Sequence, residues 1–316
     1  MKKTIFNIKL AALSFFALTL LNTNTSFAQQ DAQYSMYMFN PLTVNSAYAG
    51  TRDALSVTMI GRKQWVGFDG APSTATLSIH SPLRNEAFSL GLSIIQDEIG
   101  PTKNTSFYGD VAYRFDVSSK SRLAFGLKGG LDMFSADFGQ LRVANADDIQ
   151  YTTAIRNQLM PNFGFGAYLH SEKYYVGLSA PKVIRNTYKG SLQGGGGLES
   201  IQDRHFFLTA GYTFDLNSVV EIIPSFMVKA VEDAPLSADV NVNFFFYEKL
   251  WIGGGYRIDD SFIANIVYHF TPKFRAGYAY DYTLSQLGDY NTGTHEVMIN
   301  YDLDFLGKGF RTPRRF

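Results

Sequence analysis

The segment Leu236-Ser-Ala-Asp-Val-Asn-Val-Asn-Phe-Phe-Phe246 alternates apolar and polar side chains almost without interruption. Successive side chains of a β-strand point to opposite faces, so Val240 and Val242 fall on one face while Asp239 and Asn241 fall on the other. A period of two with one apolar and one polar face is typical of a strand that separates two different environments.

The same alternation recurs along the chain and predicts fourteen strands. They cover residues 54–62, 75–79, 88–94, 107–115, 123–131, 163–169, 174–178, 206–214, 220–228, 236–246, 250–256, 262–270, 274–282 and 297–305. An even number of strands suits a closed antiparallel sheet, and the aromatic fraction of 15% fits aromatic girdles at two membrane interfaces. The predicted fold class is therefore all-β, a transmembrane antiparallel β-barrel of about 14 strands.

The connections between the predicted strands alternate between short and long. Every second one is a turn of a few residues, whereas the others include the long segments 135–159, 181–202 and 284–292. Outer-membrane barrels have short periplasmic turns and longer external loops. A soluble β-sandwich or propeller, the alternative, gives no reason for this sorting. We therefore expect an outer-membrane protein with both ends of the mature chain on the periplasmic side.

The polar faces of these strands are expected to line the lumen. They carry Asp110, Arg114, Lys128, Asp132, Thr209, Asp239, Asn241, Asn243, Arg257, Asn265, Arg275, Asp281, Asn300 and Asp302. Fourteen strands enclose more space than side chains alone fill in an eight-stranded barrel. The lumen must then hold water, a plug or a client protein.

The segment Asp31-Ala-Gln-Tyr-Ser-Met-Tyr-Met-Phe-Asn-Pro-Leu-Thr-Val-Asn-Ser-Ala-Tyr-Ala-Gly50 lacks the strand alternation but is too apolar for a solvated tail. We expect it to pack inside the barrel or against its periplasmic mouth. Its aromatic side chains should be buried, and its asparagines and final glycine should fix the path into the first strand. The plug residues are Tyr34, Tyr37, Phe39, Asn40, Pro41, Asn45, Tyr48 and Gly50.

Four regions are predicted: a signal peptide over 1–28, a plug-like segment over 29–53, the barrel over 54–305 and a basic periplasmic tail over 306–316. Lys2, Lys3 and Lys9 precede or flank a short apolar run, and Ser26-Phe-Ala28 has the small-x-small pattern of a cleavage site. A membrane-anchoring helix is the alternative, but the run is shorter than the ~20 apolar residues that a span needs. The chain has no cysteine, so it carries neither a cysteine-linked lipid nor a disulfide.

Charge and motif content argue against several function classes. Removal of the signal peptide takes three lysines and no acid from 28 basic and 28 acidic side chains, so nucleic-acid binding is not expected. The five histidines show no metal-ligand spacing, and we predict no cofactor and no metal. A hydrolase at the barrel rim would have to use His205 or His295. The acidic pairs 97–98, 147–148 and 259–260 suit either solvated surface acids or a calcium site.

Two further stretches have the composition of recognition sites. Arg62-Lys-Gln-Trp-Val-Gly-Phe68 places Arg62, Trp65 and Phe68 in the first long connection, and Trp and Arg often dominate binding energies. Trp65 could equally belong to the interfacial aromatic belt. The tail 307–316 carries Arg311, Arg314 and Arg315 and either contacts a partner or frays.

The stretch 33–50, with Arg62-Lys-Gln-Trp65 and Ala71-Pro-Ser-Thr74 behind it, resembles the opening of the PorP/SprF family of outer-membrane proteins of type IX secretion and gliding. Ser46 and Arg315 depart from the usual family pattern. The resemblance implies a non-enzymatic barrel needed for secretion or surface anchoring of large surface proteins such as gliding adhesins. Implied partners are the type B C-terminal domain of the adhesin, periplasmic or peptidoglycan-associated components, and outer-membrane lipid. The alternative is a porin-like diffusion channel for small solutes.

Overall fold

The computed structural model describes residues 31–137, 154–191, 197–232 and 234–304. Most of them form a single antiparallel sheet that closes on itself. The strands in chain order are β1 (Leu55–Lys63), β2 (Ser73–Pro82), β3 (Phe88–Ile99), β4 (Thr102–Ser118), β5 (Ser121–Ala136), β6 (Ile155–Ser171), β7 (Tyr174–Ala180), β8 (Thr187–Ser191), β9 (Gly197–Ile201), β10 (His205–Tyr212), β11 (Phe214–Asp215), β12 (Val220–Val231), β13 (Ser237–Phe246), β14 (Leu250–Arg257), β15 (Ser261–His269), β16 (Phe274–Thr283) and β17 (Thr294–Leu303).

Fourteen of the strands described form the barrel, because β8 and β9 make a separate hairpin and β11 is a two-residue extension beside β12. Each barrel strand pairs with its neighbours in sequence, and β10 pairs with both β7 and β12. The ring closes where β1 pairs with β17, with Leu55 opposite Leu303. The predicted fold class and strand number are confirmed.

The two faces of the wall differ in polarity as the alternation predicts. On β13, Asp239 and Asn241 are buried inside, whereas the intervening Val240 is 52% exposed on the outer surface. All the polar positions predicted to face the lumen are buried. Charges in the lumen avoid the ~2–4 kcal/mol that a cation costs on the lipid face at the midplane. Among the residues described, no helix is long and apolar enough to cross a membrane.

The connections at one end of the barrel, which we call the short-turn end, are all short, whereas the opposite, long-loop end has the long connections and also the short turns 100–101 and 258–260. Residues 119–120, 172–173 and 247–249 are typical of the first group. β4, β5 and β6 have 16 or 17 residues each, more than the ~9–11 that cross a bilayer. These three strands therefore extend the wall beyond the membrane.

Residues 31–53, here called the plug, run through the lumen from one end to the other. Three short 3₁₀ turns, Tyr37–Phe39, Pro41–Thr43 and Ser46–Tyr48, shorten the path. Asp31 lies at the long-loop end, and the segment reaches the short-turn end before β1 begins.

The expectation that both ends of the mature chain lie on the periplasmic side is therefore wrong at residue 31. The barrel strands do begin and end at the short-turn end, at Leu55 and Leu303. A segment that fills the lumen and ends at the first strand, however, must begin at the opposite end. The predicted signal peptide and basic tail lie outside the described residues.

Candidate functional site

The aromatic side chains of the plug are buried against the inner wall. Tyr34, Tyr37, Phe39 and Tyr48 are each at most 5% exposed. The Tyr34 hydroxyl forms a hydrogen bond of 2.8 Å with Thr76 Oγ1, and Asn241 Nδ2 donates to the Tyr37 hydroxyl over 3.0 Å. The ring of Phe39 packs edge-to-face on Trp251, and the ring of Tyr48 packs in the same way on Tyr168. Each polar tip or ring thus meets a complementary group of the wall.

Asparagines hold the turns of the plug in place. Asn40 donates from Nδ2 to Ser78 Oγ over 3.0 Å. Asn45 Oδ1 accepts the amide hydrogen of Ala47 and so caps the third turn, while its Nδ2 donates to the carbonyl of Ala167 on β6. Pro41 occupies the first position of the second turn, where no amide hydrogen is needed.

The third turn of the plug packs directly on the backbone of β5 and β6. A Cβ placed on Gly126 would lie 2.3 Å from Ala47 N, and one on Gly166 would lie 2.1 Å from Asn45 Oδ1. Real Cβ atoms do not approach other atoms so closely. The absence of a side chain at these two positions is therefore a condition for the close contact.

A buried ion cluster attaches the plug near the long-loop end. Glu296 on β17 accepts the amide hydrogens of Ser35 and Met36, both over 2.8 Å. Arg62 on β1 donates to Glu296 and to Asp281, both over 2.9 Å, and the Ser35 hydroxyl lies 2.6 Å from Asp281. The negative charges are thus shared between an arginine of the wall and polar groups of the plug.

The prediction that Arg62 is available to a partner in an external loop is wrong. Arg62 belongs to β1, is 4% exposed and points into the lumen. The first strand continues one residue beyond the predicted range, and the alternation places position 62 on the inner face. Its charge is neutralised by Asp281 and Glu296.

A second group of contacts fixes the plug at the short-turn end. Gly50 has a φ of +74°, which favours glycine, and its amide donates to His80 Nδ1 over 3.0 Å while its carbonyl accepts from Arg114. Arg52 contacts Asp302 through two nitrogens, at 3.0 and 2.7 Å. Burial lowers the pKa of Arg52, but the Asp302 carboxylate outweighs burial and raises it above its ordinary value.

The start of the plug is bound at the long-loop end by a lysine from the connection after β7. Lys182 Nζ lies 2.9 Å from Asp31 and 3.3 Å from Asp132. Burial would raise the pKa of Asp31, but Lys182 and His205 lower it below its ordinary value. Burial likewise lowers the pKa of Lys182, and the two carboxylates raise it well above the usual range.

Two external connections join at the rim around Trp65. Val66 donates its amide to the Gly293 carbonyl, Thr292 donates to the Val66 carbonyl, and both bonds measure 2.8 Å. Trp65 is half-buried, and Phe68 is 46% exposed. The first and last long connections are therefore joined at the rim, and Trp65 and Phe68 lie on the first of them. The predicted partner contacts Arg311, Arg314 and Arg315 lie outside the described residues.

Comparison with known protein families decides where this barrel belongs. The model of the type IX secretion system membrane protein PorP/SprF matches residues 26–301. This chain belongs to the PorP/SprF family. It is thus an outer-membrane β-barrel of type IX secretion, and the resemblance carried by residues 33–50 is confirmed.

Solved structures of outer-membrane channels are similar to this PorP/SprF barrel in outline. A Pseudomonas aeruginosa FadL homologue is 13% identical with a TM-score of 0.48, over 84% of this chain and 93% of that one. The CymD monoaromatic hydrocarbon channel is 11% identical with a TM-score of 0.49, over 86% and 93%. The Pseudomonas putida toluene transporter TodX is 10% identical with a TM-score of 0.45, over 88% and 95%. A search of curated proteins found no significant match.

Within the part of the chain that the structure describes, the histidines and the acidic pairs 97–98 and 259–260 do not converge on one site, and the pair 147–148 lies outside it. At the long-loop end, His205 Nδ1 lies 3.1 Å from the Asp203 carbonyl, and His295 Nδ1 lies 2.6 Å from the Tyr278 hydroxyl. Asp97 faces inward whereas Glu98 pairs with Lys103 outside. Within the described ranges, no group of three or more His, Cys, Asp or Glu side chains is placed to hold a metal ion.

Residues of the plug attachment that were missing from the sequence prediction include Ser35, Arg52, Lys182 and Glu296. Glu296 could have been found, because it continues the polar face of the last strand one residue before the predicted start. Ser35 and Arg52 lie where no periodicity exists, so no sequence signal marks them.

Proposed function

We propose that this protein is a non-enzymatic partner of type IX secretion that is required for secretion or surface anchoring of large surface proteins such as gliding adhesins. It would engage them through their type B C-terminal domain. Membership of the PorP/SprF family supports a role in secretion.

The observation that carries the proposal is the attachment of the plug at both ends of the lumen. Near one end, Glu296 of the wall accepts the amide hydrogens of Ser35 and Met36, and at the other end Arg52 of the plug forms a buried ion pair with Asp302. Breaking a buried ion pair costs about 3–5 kcal/mol, so a plug held by such a pair and by hydrogen bonds to a buried carboxylate is not easily displaced by solutes. A plugged barrel with large external connections suits a platform for a folded client domain.

The client is expected to bind at the long-loop end, with Trp65 and Phe68 as aromatic anchors in the rim surface. Large aromatic side chains supply much of the binding energy at interfaces. On the periplasmic side, the tail with Arg311, Arg314 and Arg315 is proposed to contact periplasmic or peptidoglycan-associated components. The apolar outer wall is proposed to contact outer-membrane lipid.

Surface display of adhesins in cells tests this proposal. Deletion of the gene should abolish the display of at least one adhesin that carries a type B domain, and the Trp65→Ala, Phe68→Ala double variant should reduce it. Phe270→Ala is the matched control, because Phe270 is exposed at the short-turn end. Unchanged display of every such adhesin in the deletion strain would refute the proposal.

A diffusion channel for small solutes is the second candidate, and the charged lumen favours it. Planar-bilayer conductance separates the two. We expect a closed full-length barrel and an open pore when residues 29–50 are deleted. A steady open pore in the full-length protein would favour the channel instead.

A further inference from the structure

A cavity of about 300 Å³ lies between the plug and the wall of β3, β4 and β5 near the long-loop end. Val44 of the plug, Ile95 and Ile99 of β3, and Phe207 of β10 supply apolar surface. Asp97, Asn104 and Tyr108 supply polar groups on the same wall. Cavities with a mostly apolar lining and a few polar groups are the usual form of ligand sites.

Asp97 lies in this wall and faces the cavity. It stands opposite Asn104 on β4 and opposite Thr74 on β2, and Thr74 donates its hydroxyl to Asp97 over 2.6 Å. No cation of the described residues lies within ion-pair distance of Asp97. A half-buried carboxylate with one neutral hydrogen bond favours the approach of a positive charge.

The two lysines that line the cavity are already engaged elsewhere. Lys128 Nζ lies 3.0 Å from Asp110, and Lys182 Nζ lies 2.9 Å from Asp31 and 3.3 Å from Asp132. Three carboxylates therefore already pair with these two ammonium groups, and Asp97 adds a fourth negative charge beside the cavity. The local excess of negative charge disfavours an anionic ligand in the cavity.

We propose that this cavity binds a basic organic side chain, of the arginine or lysine type, presented by the client protein at the long-loop end. The carboxylate of Asp97 receives the cationic head, and the apolar surface of Val44, Ile95 and Phe207 contacts the carbon stem, as long basic side chains require. The source of the side chain rests on the proposed function. The existence of the cation site does not.

A set of probes of equal shape and different charge tests the site. Binding of benzamidine, benzamide and benzoate to the purified full-length protein in detergent is measured by isothermal titration calorimetry. Benzamidine carries a cationic head on an apolar ring, and we expect it to bind at least tenfold more tightly than the neutral and anionic probes. Equal affinity for benzamidine and benzamide would overturn the proposal.

Asp97→Asn should weaken benzamidine binding at least tenfold, because it keeps the shape and the oxygen that faces Thr74 but removes the charge. Glu98→Gln is the matched control on the adjacent outward position and should change nothing, because its partner Lys103 is outside the lumen. Wild-type affinity in Asp97→Asn would refute the site. If that variant fails to fold, as judged by heat-modified migration on a gel, the probe series on the wild type decides alone.

Capture of an adhesin C-terminal domain by the same variants identifies the source of the cation. At least tenfold weaker capture by Asp97→Asn, with the Glu98→Gln control unchanged, supports a client side chain. Unchanged capture together with selective benzamidine binding overturns the client assignment and indicates a free small cation. Normal adhesin display in the deletion strain would refute the proposed function while leaving the probe result intact, so the two failures are distinguishable.

Discussion

The carboxylate of Glu296 joins the plug to the wall although no part of its side chain is exposed. It accepts two amide hydrogens from the plug and one bond from Arg62. A buried carboxylate is stable only when such partners replace water, because an unpaired buried charge is costly. The position of Ser35 in the lumen therefore depends on a residue distant from it in sequence.

Glu296→Gln is expected to loosen the plug. The glutamine side chain lacks the negative charge that neutralises Arg62, and its NH₂ group would face an N–H group of the plug backbone. We expect these two effects to lower the unfolding free energy by about 3 kcal/mol. Denaturant unfolding in detergent should show this loss, and bilayer recordings should show openings that the wild type lacks. Glu98→Gln, in an exposed pair with Lys103, should change stability by less than about 1 kcal/mol. Wild-type stability and closure in Glu296→Gln would contradict this role.

Asp31 should make the attachment of the plug pH-dependent. The pKa of Asp31 is lower in the folded protein than its value of about 3.9 in the unfolded chain. Its contribution to the unfolding free energy is therefore complete above the unfolded pKa and is lost as the pH falls through the folded pKa. At pH 7, Asp31→Asn should lower the unfolding free energy by about 1 kcal/mol. The difference between wild type and variant, measured by denaturant unfolding, should shrink towards zero below pH 4. A difference that stays constant from pH 7 to pH 3 would exclude this contribution.

At the scale of elements, the third turn of the plug packs closely on β5 and β6 because glycines in these strands carry no side chain at the contact. The turn Ser46–Tyr48 lies against β5 and β6, where Gly126 and Gly166 leave its backbone room to approach. Tyr48 then reaches the rings of Tyr168 and His80. Contact between a 3₁₀ turn and a sheet is therefore set by the strands as much as by the plug.

Gly126→Ala should displace this turn. The added methyl group would overlap Ala47, and forced insertion into a packed interior costs about 1–3 kcal/mol. The temperature at which the folded band is lost on a gel should fall, and conductance should rise. Gly129→Ala on the same strand is the control, since nothing lies within 4 Å of its Cβ position. Equal effects of the two substitutions would argue against a specific contact.

At the scale of the molecule, the plug gives the two ends of the barrel different exposed segments. Ala32 lies at the long-loop end, beside the cavity, whereas the short-turn end holds the turn around Asn85. Short turns face the periplasm in outer-membrane barrels. The beginning of the plug is therefore expected at the cell surface.

Single cysteines test this orientation, because the chain has none of its own. An impermeant maleimide added to intact cells should label Ala32→Cys and the rim control Asp69→Cys. It should label Asn85→Cys only after the outer membrane is permeabilised. Labelling of residue 32 that follows the pattern of residue 85 would reverse the direction of the plug.

The sequence predicted the wall much better than the contents of the lumen. In an alternating strand, the face on which a residue lies follows both from its own polarity and from the polarity of its neighbours. Positions such as Asp239 and Asn241 were therefore placed correctly in the lumen. The path of the plug depends on contacts such as Ser35 with Glu296, 261 residues apart, which no local pattern encodes. Arg62 was misplaced because the basic and aromatic residues of 62–68 resemble a recognition loop, although the alternation of the predicted strand 54–62 already places position 62 on the inner face.

The pair of Arg62 and Glu296 stands directly across the junction of the first and last strands. Since the same carboxylate accepts the amide hydrogens of Ser35 and Met36, its hydrogen bonds are complete only when the N-terminal segment is already in place. Sealing of the cylinder and docking of its contents are then one cooperative event during assembly. A cylinder that closed first would enclose a buried carboxylate that lacks two of its hydrogen-bond partners and would have to reopen for the segment to enter.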